Sequence, residues 1–173
     1  DDTLKYDSVF ANRVNLEKYL WGTAGELPDE SKIFGNDETP GITAADDIFT
    51  LMGYDLFHGK ALTLGLVSAA NTQGLGVWST CYKVIRKANL ILNRMDECTN
   101  ITPLQKQELL GYTHFLRGYA YYYILMNYGP AVLLGDEVLE TNEEAEYYDR
   151  ARATYDETVE YICSELEIAA KYI

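Results

Sequence analysis

Between residues 21 and 75 the sequence gathers flat rings and neutral hydrogen-bonding groups. Trp21, Phe34, Phe49, Tyr54, Phe57 and His58 stand with Asn71, Thr72 and Gln73. Gly22, Gly25, Pro28, Gly35, Pro40, Gly41, Gly53, Gly59, Gly65 and Gly74 interrupt each run that might become a long element, so the stretch reads as a long loop region holding short helical pieces. Loops of that length are uncommon inside a helical domain unless they serve a function or are disordered, and this mixture of rings and amides argues for function.

Other chemistries find less support. His58 and His114 are the only histidines, so no HExxH or multi-histidine metal cluster is written. Cys81, Cys98 and Cys163 are widely spaced, giving neither a CxxC redox motif nor a zinc site. Cys81 and Cys163 fall among apolar helix positions, where packing is the expected role. No GxGxxG, P-loop or GxSxG elbow is present, and the many carboxylates lie mostly on polar helix faces without an evident acid and base pair. The chain therefore reads as a non-enzyme that calls for no cofactor and no metal.

Charge narrows the partners. Against 27 acidic residues stand 14 basic ones, a net charge of −13, and no basic stripe appears. Nucleic acid is excluded as a partner, since binding it requires cations that displace the counterions of the phosphates. Docking on anionic lipid is disfavoured for the same reason. No run approaches the roughly 18 apolar residues of a membrane span, and nothing at Asp1 resembles a signal peptide, so either the protein is cytoplasmic or a leader has been removed.

Four helical segments must position the loop. A weak apolar face of Val9, Val14, Leu16 and Tyr19 predicts a helix over about 3–19. Trp78, Cys81, Tyr82, Ile85, Ala88, Leu92 and Met95 recur at three- and four-residue spacing and predict a helix over about 77–97. Thr102 as N-cap and Pro103 at the first position open a helix that stops at Gly129-Pro130. That helix carries two stripes, Tyr112, Phe115, Tyr119, Tyr122 and Met126, and Leu109, Leu116, Ala120 and Tyr123, which predict neighbours on two sides. Gly111 and Gly118 should allow close helix contact, and Arg117 should be buried in an ion pair or on backbone carbonyls. After an extended piece at 131–134 and an acidic connection at 136–149, Thr154 and Glu157 form a capping box for the last helix. Its expected apolar face is Tyr155, Val159, Ile162, Leu166, Ala169 and Ile173. Helices paired in this way are tetratricopeptide-like, although no 34-residue period is found.

Several motifs in fixed order carry a resemblance. Trp78, Tyr82, Ile85, Ala88 and Asn89 read WxxxYxxIxxAN. Phe115 to Gly118 read FLRG before a Tyr-rich run into Tyr128 and Gly129. Ala151, Arg152 and Ala153 precede TYDETVEYICSELEIAAKYI. With the opening VFANRVNLEKYLWGTAGELP, these resemble the SusD/RagB family over essentially the whole chain. One departure is Pro130, which stands where the family places its proline two positions later, at Val132.

The resemblance implies an all-α, tetratricopeptide-like scaffold with long irregular loops, and a cell-surface outer-membrane lipoprotein that binds oligosaccharides and hands them to a TonB-dependent transporter of the SusC type. Residues 1–173 would be an N-terminal segment of a longer protein, held to the membrane only by a lipid anchor upstream of Asp1. Glycans present apolar C–H faces and rings of hydroxyls, so they need aromatic platforms beside amides and carboxylates. The family places part of its sugar-binding surface between the first helix and the WxxxY helix. That implicates Asp46, Asp47, Tyr54, His58, Asn71, Thr72 and Gln73, with Asp46 and Asp47 equally readable as an N-cap for the run Ile48, Phe49, Leu51 and Met52. Trp78 and the helical tyrosines are expected to be core. The rival reading is a soluble helical scaffold for protein recognition.

Overall fold

The computed structural model describes residues 7–29, 40–46, 48–53 and 57–173. Helices there are α1 (Arg13–Ala24), α2 (Gly59–Thr63), α3 (Trp78–Arg94), α4 (Pro103–Tyr128), α5 (Ala145–Tyr148) and α6 (Tyr155–Tyr172), with 3-10 turns at Ile42–Ala44 and Met95–Glu97. No strand occurs among the described residues. The chain divides into one unit of Asp1–Leu27 and Cys81–Ile173 and another of Pro28–Thr80.

In the first unit, α1 starts where Asn12 accepts the Val14 N–H at 2.9 Å. It continues beyond the predicted end at 19 and passes through Gly22, because Leu20 and Thr23 are fully buried and packing outweighs a glycine penalty of about 1 kcal/mol. The part of the expected helix at 3–6 lies outside the described residues. On α3 the buried side chains Cys81, Val84, Ile85, Ala88 and Ile91 follow the helical period and form one face. The capping of α4 is fuller than the sequence suggests: Thr102 accepts the Gln105 N–H, and the Gln105 side chain accepts the Thr102 N–H. At its other end Gly129 takes φ +75° and returns its N–H to the Leu125 carbonyl.

The capping box of α6 is complete, with Thr154 accepting from the Glu157 N–H and Glu157 from the Thr154 N–H. Helices α4 and α6 pack along their lengths. A methyl group on Gly118 would stand 3.0 Å from Glu165 Cβ, and one on Gly111 2.7 Å from Ile173 Cγ1, so the absent side chains set the approach. The stripe that α6 buries is Thr158, Ile162, Glu165 and Ala169. Tyr155 and Ile173, expected in the apolar face, are 59% and 62% exposed. The face turned because Glu165 enters the interior as the partner of Arg117, which periodicity of apolar residues alone does not reveal. Cys163 is exposed, against the packing role expected of it, while Cys81 is buried.

Arg117 and Glu165 are 3% and 4% exposed and joined by two bonds of 2.7 Å. Arg117 also donates to Asn89 Oδ1, the Gly135 carbonyl and Asp136. Glu165 shares its second oxygen with His114 Nδ1 at 2.9 Å. Burial pushes the Glu165 carboxyl up, but the hydrogen bonds from His114 and Arg117 outweigh it and leave the group below its ordinary 4.5. This cluster ties α3, α4, α6 and the 135–136 turn together, and the burial of its Arg117–Glu165 pair makes it a structural clamp.

The segment after α4 is extended yet pairs with no strand. The Ala131 carbonyl accepts the Ala153 N–H at 2.8 Å, and side chains meet further groups of its backbone. Tyr82 Oη accepts the Val132 N–H and donates to the Val132 carbonyl, Tyr121 Oη accepts the Leu134 N–H, and Asn89 Nδ2 donates to the Glu137 carbonyl. Burial pushes the Tyr82 hydroxyl up to about 12. Tyr121 is fully buried. Tyr121→Phe is expected to lower stability by about 1–3 kcal/mol, because it strands the Leu134 N–H away from water. Urea melts of the two proteins read the difference, and amide exchange at Leu134 should speed up. The acidic connection is largely exposed, as expected, but folds a turn of helix, α5, held where Tyr148 Oη donates to the Glu140 carbonyl.

Candidate functional site

The second unit carries the loop residues. Its framework is a close approach: a methyl on Gly59 would lie 1.8 Å from the Pro40 carbonyl oxygen, so only glycine lets α2 meet the 3-10 turn, whose Thr43 hydroxyl donates to that same carbonyl. Lys60, next along α2, donates to the Thr50 and Met52 carbonyls at 2.9 and 2.7 Å. This pins the 50–52 backbone and leaves the ammonium 5.4 Å from the centre of the Phe49 ring. Asp46, Phe49, Thr50, Lys60, Thr63 and Leu64 line a cleft of about 480 Å³.

The ring of Phe49 is 78% exposed. It is a flat apolar surface backed by a cation and bordered by hydroxyls and a carboxylate. The run Ile48, Phe49, Leu51 and Met52 does not form a helix, and its side chains are all exposed, so Asp46 caps nothing. Thr50 Oγ1 instead accepts the Met52 N–H in a local turn.

A different arrangement holds His58, Asn71, Thr72 and Gln73. Ser68 and Asn71 exchange backbone hydrogen bonds of 2.8 and 3.1 Å, and Asn71 Oδ1 accepts the Gln73 N–H. Gln73 takes φ +53°, a left-handed conformation that usually costs a non-glycine residue about 1 kcal/mol or more. It is followed by Gly74 at φ +85°. The His58 ring lies so near Gly74 that a methyl there would stand 2.5 Å from Cε1, and Thr72 Oγ1 is similarly close to Gly76. The turn thus wraps His58, with the Asn71 side chain occupied in shaping it.

The sequence-derived set therefore separates. His58, Thr72 and Gln73 gather about one turn, while Asp46 lines the cleft, whose described walls include none of those three. Asp47 and Tyr54 lie outside the described residues. Lys60 is not singled out by the sequence, whereas Phe49 stands there both among the rings of the loop and in a run that Asp46 or Asp47 could cap. An isolated lysine has no pattern that announces a carbonyl clamp, but the Gly59-Lys60 pair after a ring-rich stretch was the available cue. Among the described residues no group of His, Cys, Asp or Glu is placed to hold a metal ion, and no helix is long and apolar enough to cross a membrane.

Comparison with known proteins places this architecture. The SusD-like family described as "Starch-binding associating with outer membrane" matches residues 10–173, and the chain belongs to it. The fold is accordingly the all-helical, tetratricopeptide-like one of that family. Among solved structures it is similar to a SusD-like protein from Bacteroides fragilis NCTC 9343, with 23% identity, a TM-score of 0.69, and coverage of 96% of this chain and 30% of the other. It is also similar to NanU of B. fragilis, with 21% identity, a TM-score of 0.67, and coverage of 95% and 31%. The chain thus spans about a third of the length of these relatives. No curated protein sequence matches it.

Proposed function

We propose that the protein binds glycans at the cell surface, as a lipid-anchored outer-membrane protein, and delivers them to a SusC-type TonB-dependent transporter without chemically altering them. The family match over residues 10–173 is the observation that carries this reading, since that family is described as starch-binding and associated with the outer membrane. The second unit supports it in chemical terms. Phe49 offers an exposed ring for a sugar's C–H face, and Asp46, Thr50 and Thr63 stand beside it with groups that hydrogen-bond hydroxyls. His58, Thr72 and Gln73 form a second polar edge. Residues 1–173 form the N-terminal helical domain of a longer protein, and its ligand-facing loop region, expected over 21–75, begins after α1, where the second unit starts at Pro28.

Calorimetry of the native-length protein against a panel of oligosaccharides tests the reading. One or more glycans should bind, and Phe49→Ala should weaken that binding about tenfold, the loss of roughly 1.4 kcal/mol of ring contact. Chromatography of the incubated glycans should show no shortened products. Binding that is indifferent to Phe49, His58 and Gln73 alike would remove this loop from the site, and product release would replace a binding protein by a hydrolase.

A further inference from the structure

In the second unit one strap of chain holds its apolar side chains out rather than in. Ile48, Phe49, Leu51 and Met52 are 42%, 78%, 92% and 56% exposed, so burial does little to fix the strap. Its tie to α2 is polar. Lys60 Nζ donates to the Thr50 and Met52 carbonyls, and the Thr50 hydroxyl accepts the Met52 N–H within the strap itself. The base of that lysine is firmly placed. It stands between Gly59 and Ala61, both buried, and Gly59 is seated on the Pro40 carbonyl with no room for a side chain.

Geometry separates the roles open to such a lysine. An ammonium has three donors, and one that served as a hook for a ligand would keep them for it. Here two are engaged by carbonyls, and the charge lies over one face of the Phe49 ring, 5.4 Å from its centre. A lysine that merely closed a loop would hold a segment whose apolar groups turn inward. This one holds a segment whose ring turns outward, with one face backed by the cation and the other left for the C–H face of a sugar.

We infer that Lys60 is the positioning residue of the glycan platform. It holds the Thr50 and Met52 carbonyls so that Phe49 is presented before a sugar arrives, and it directs the sugar to the ring face away from the ammonium. This inference rests on the glycan reading proposed above. Its physical content is preorganisation: without the clamp the strap samples more conformations, and binding must then order the ring as well as dock the sugar.

A cycle of Lys60→Met and Phe49→Ala in the native-length protein tests it, because methionine keeps the apolar stem and removes the donors. Calorimetry reads the affinity for the oligosaccharide of the panel that binds the wild-type protein most tightly. Lys60→Met should weaken binding about threefold to tenfold while Phe49 is present, and by less than about twofold once Phe49 is alanine. No loss, or equal losses in the two backgrounds, would overturn the proposal. Equal losses at an unchanged urea midpoint make Lys60 a direct ligand contact, and at a lowered midpoint a general support of the fold.

A second readout needs no glycan. With 4-fluorophenylalanine placed at position 49, the fluorine resonance should narrow in Lys60→Met and move toward that of the free amino acid. An unmoved resonance means that the ring is held without the lysine, and it sinks the proposal. A panel that binds nothing while the resonance moves removes the glycan reading and leaves Lys60 as the residue that presents the ring, so the two failures are told apart.

Discussion

Arg117→Met is expected to lower the free energy of unfolding by about 3–5 kcal/mol, as removing one partner of a buried pair does. The guanidinium bonds both Glu165 and Asp136 while also satisfying Asn89 Oδ1 and the Gly135 carbonyl. Methionine fills the volume but leaves a 4% exposed carboxylate with His114 as its remaining side-chain partner. The double variant Arg117→Met with Glu165→Met should be more stable than Arg117→Met alone, because an apolar pair needs no compensation. Urea denaturation of the three proteins is the measurement. A loss under about 1 kcal/mol for the single variant would mean that the pair is solvated like a surface ion pair.

The same pair carries a pH signature. Because the folded Glu165 carboxyl sits below its ordinary 4.5, its contribution to stability is complete above that value and is lost as pH falls through the depressed one. Without Arg117, the hydrogen bond from His114 alone opposes burial, so the carboxyl is held down less and the variant loses less stability on acidification. The stability gap between the wild-type protein and Arg117→Met should therefore narrow as pH drops below about 4.5. A gap constant between neutral pH and pH 3 would separate the clamp from the titration of Glu165.

What the sequence discloses here is local. Thr154 with Glu157, Thr102 before Pro103, and Gly129 at a helix end act through neighbours three or four residues away, so their spacing alone predicts the caps. Arg117 is legible as buried, but its partners Asn89, Asp136 and Glu165 come from three other segments, and only the folded chain brings them together. The α6 stripe was misplaced for the same reason: a glutamate on the inward face breaks apolar periodicity, and the pattern then favours Tyr155 and Ile173. At the candidate site, ring and amide content locates the loop region. Its internal division follows from backbone contacts, Gly59 on Pro40 and Gly74 on His58, which side-chain chemistry does not announce.

Gly118→Val should be the most damaging single substitution at the α4–α6 contact, at about 3 kcal/mol. Alanine there is a balance: its methyl meets Glu165 Cβ at 3.0 Å and Leu166 Cδ2 at 3.3 Å, while helix propensity returns about 1 kcal/mol relative to glycine. Leu166 can yield by rotating its side chain, but Glu165 Cβ is fixed by its own backbone and by the two bonds its carboxylate makes to Arg117. Valine adds two further methyls, and beta branching restricts the rotamers that would avoid the contact. The helices must then separate, stretching the Arg117–Glu165 bonds. Gly118→Val and Arg117→Met should accordingly be less than additive, since each weakens the same clamp. A cycle of the two single variants and the double, read by urea denaturation, measures this. Full additivity would mean that α4 and α6 accommodate the valine without moving Glu165, and that packing at Gly118 and the buried ion pair are separate sources of stability.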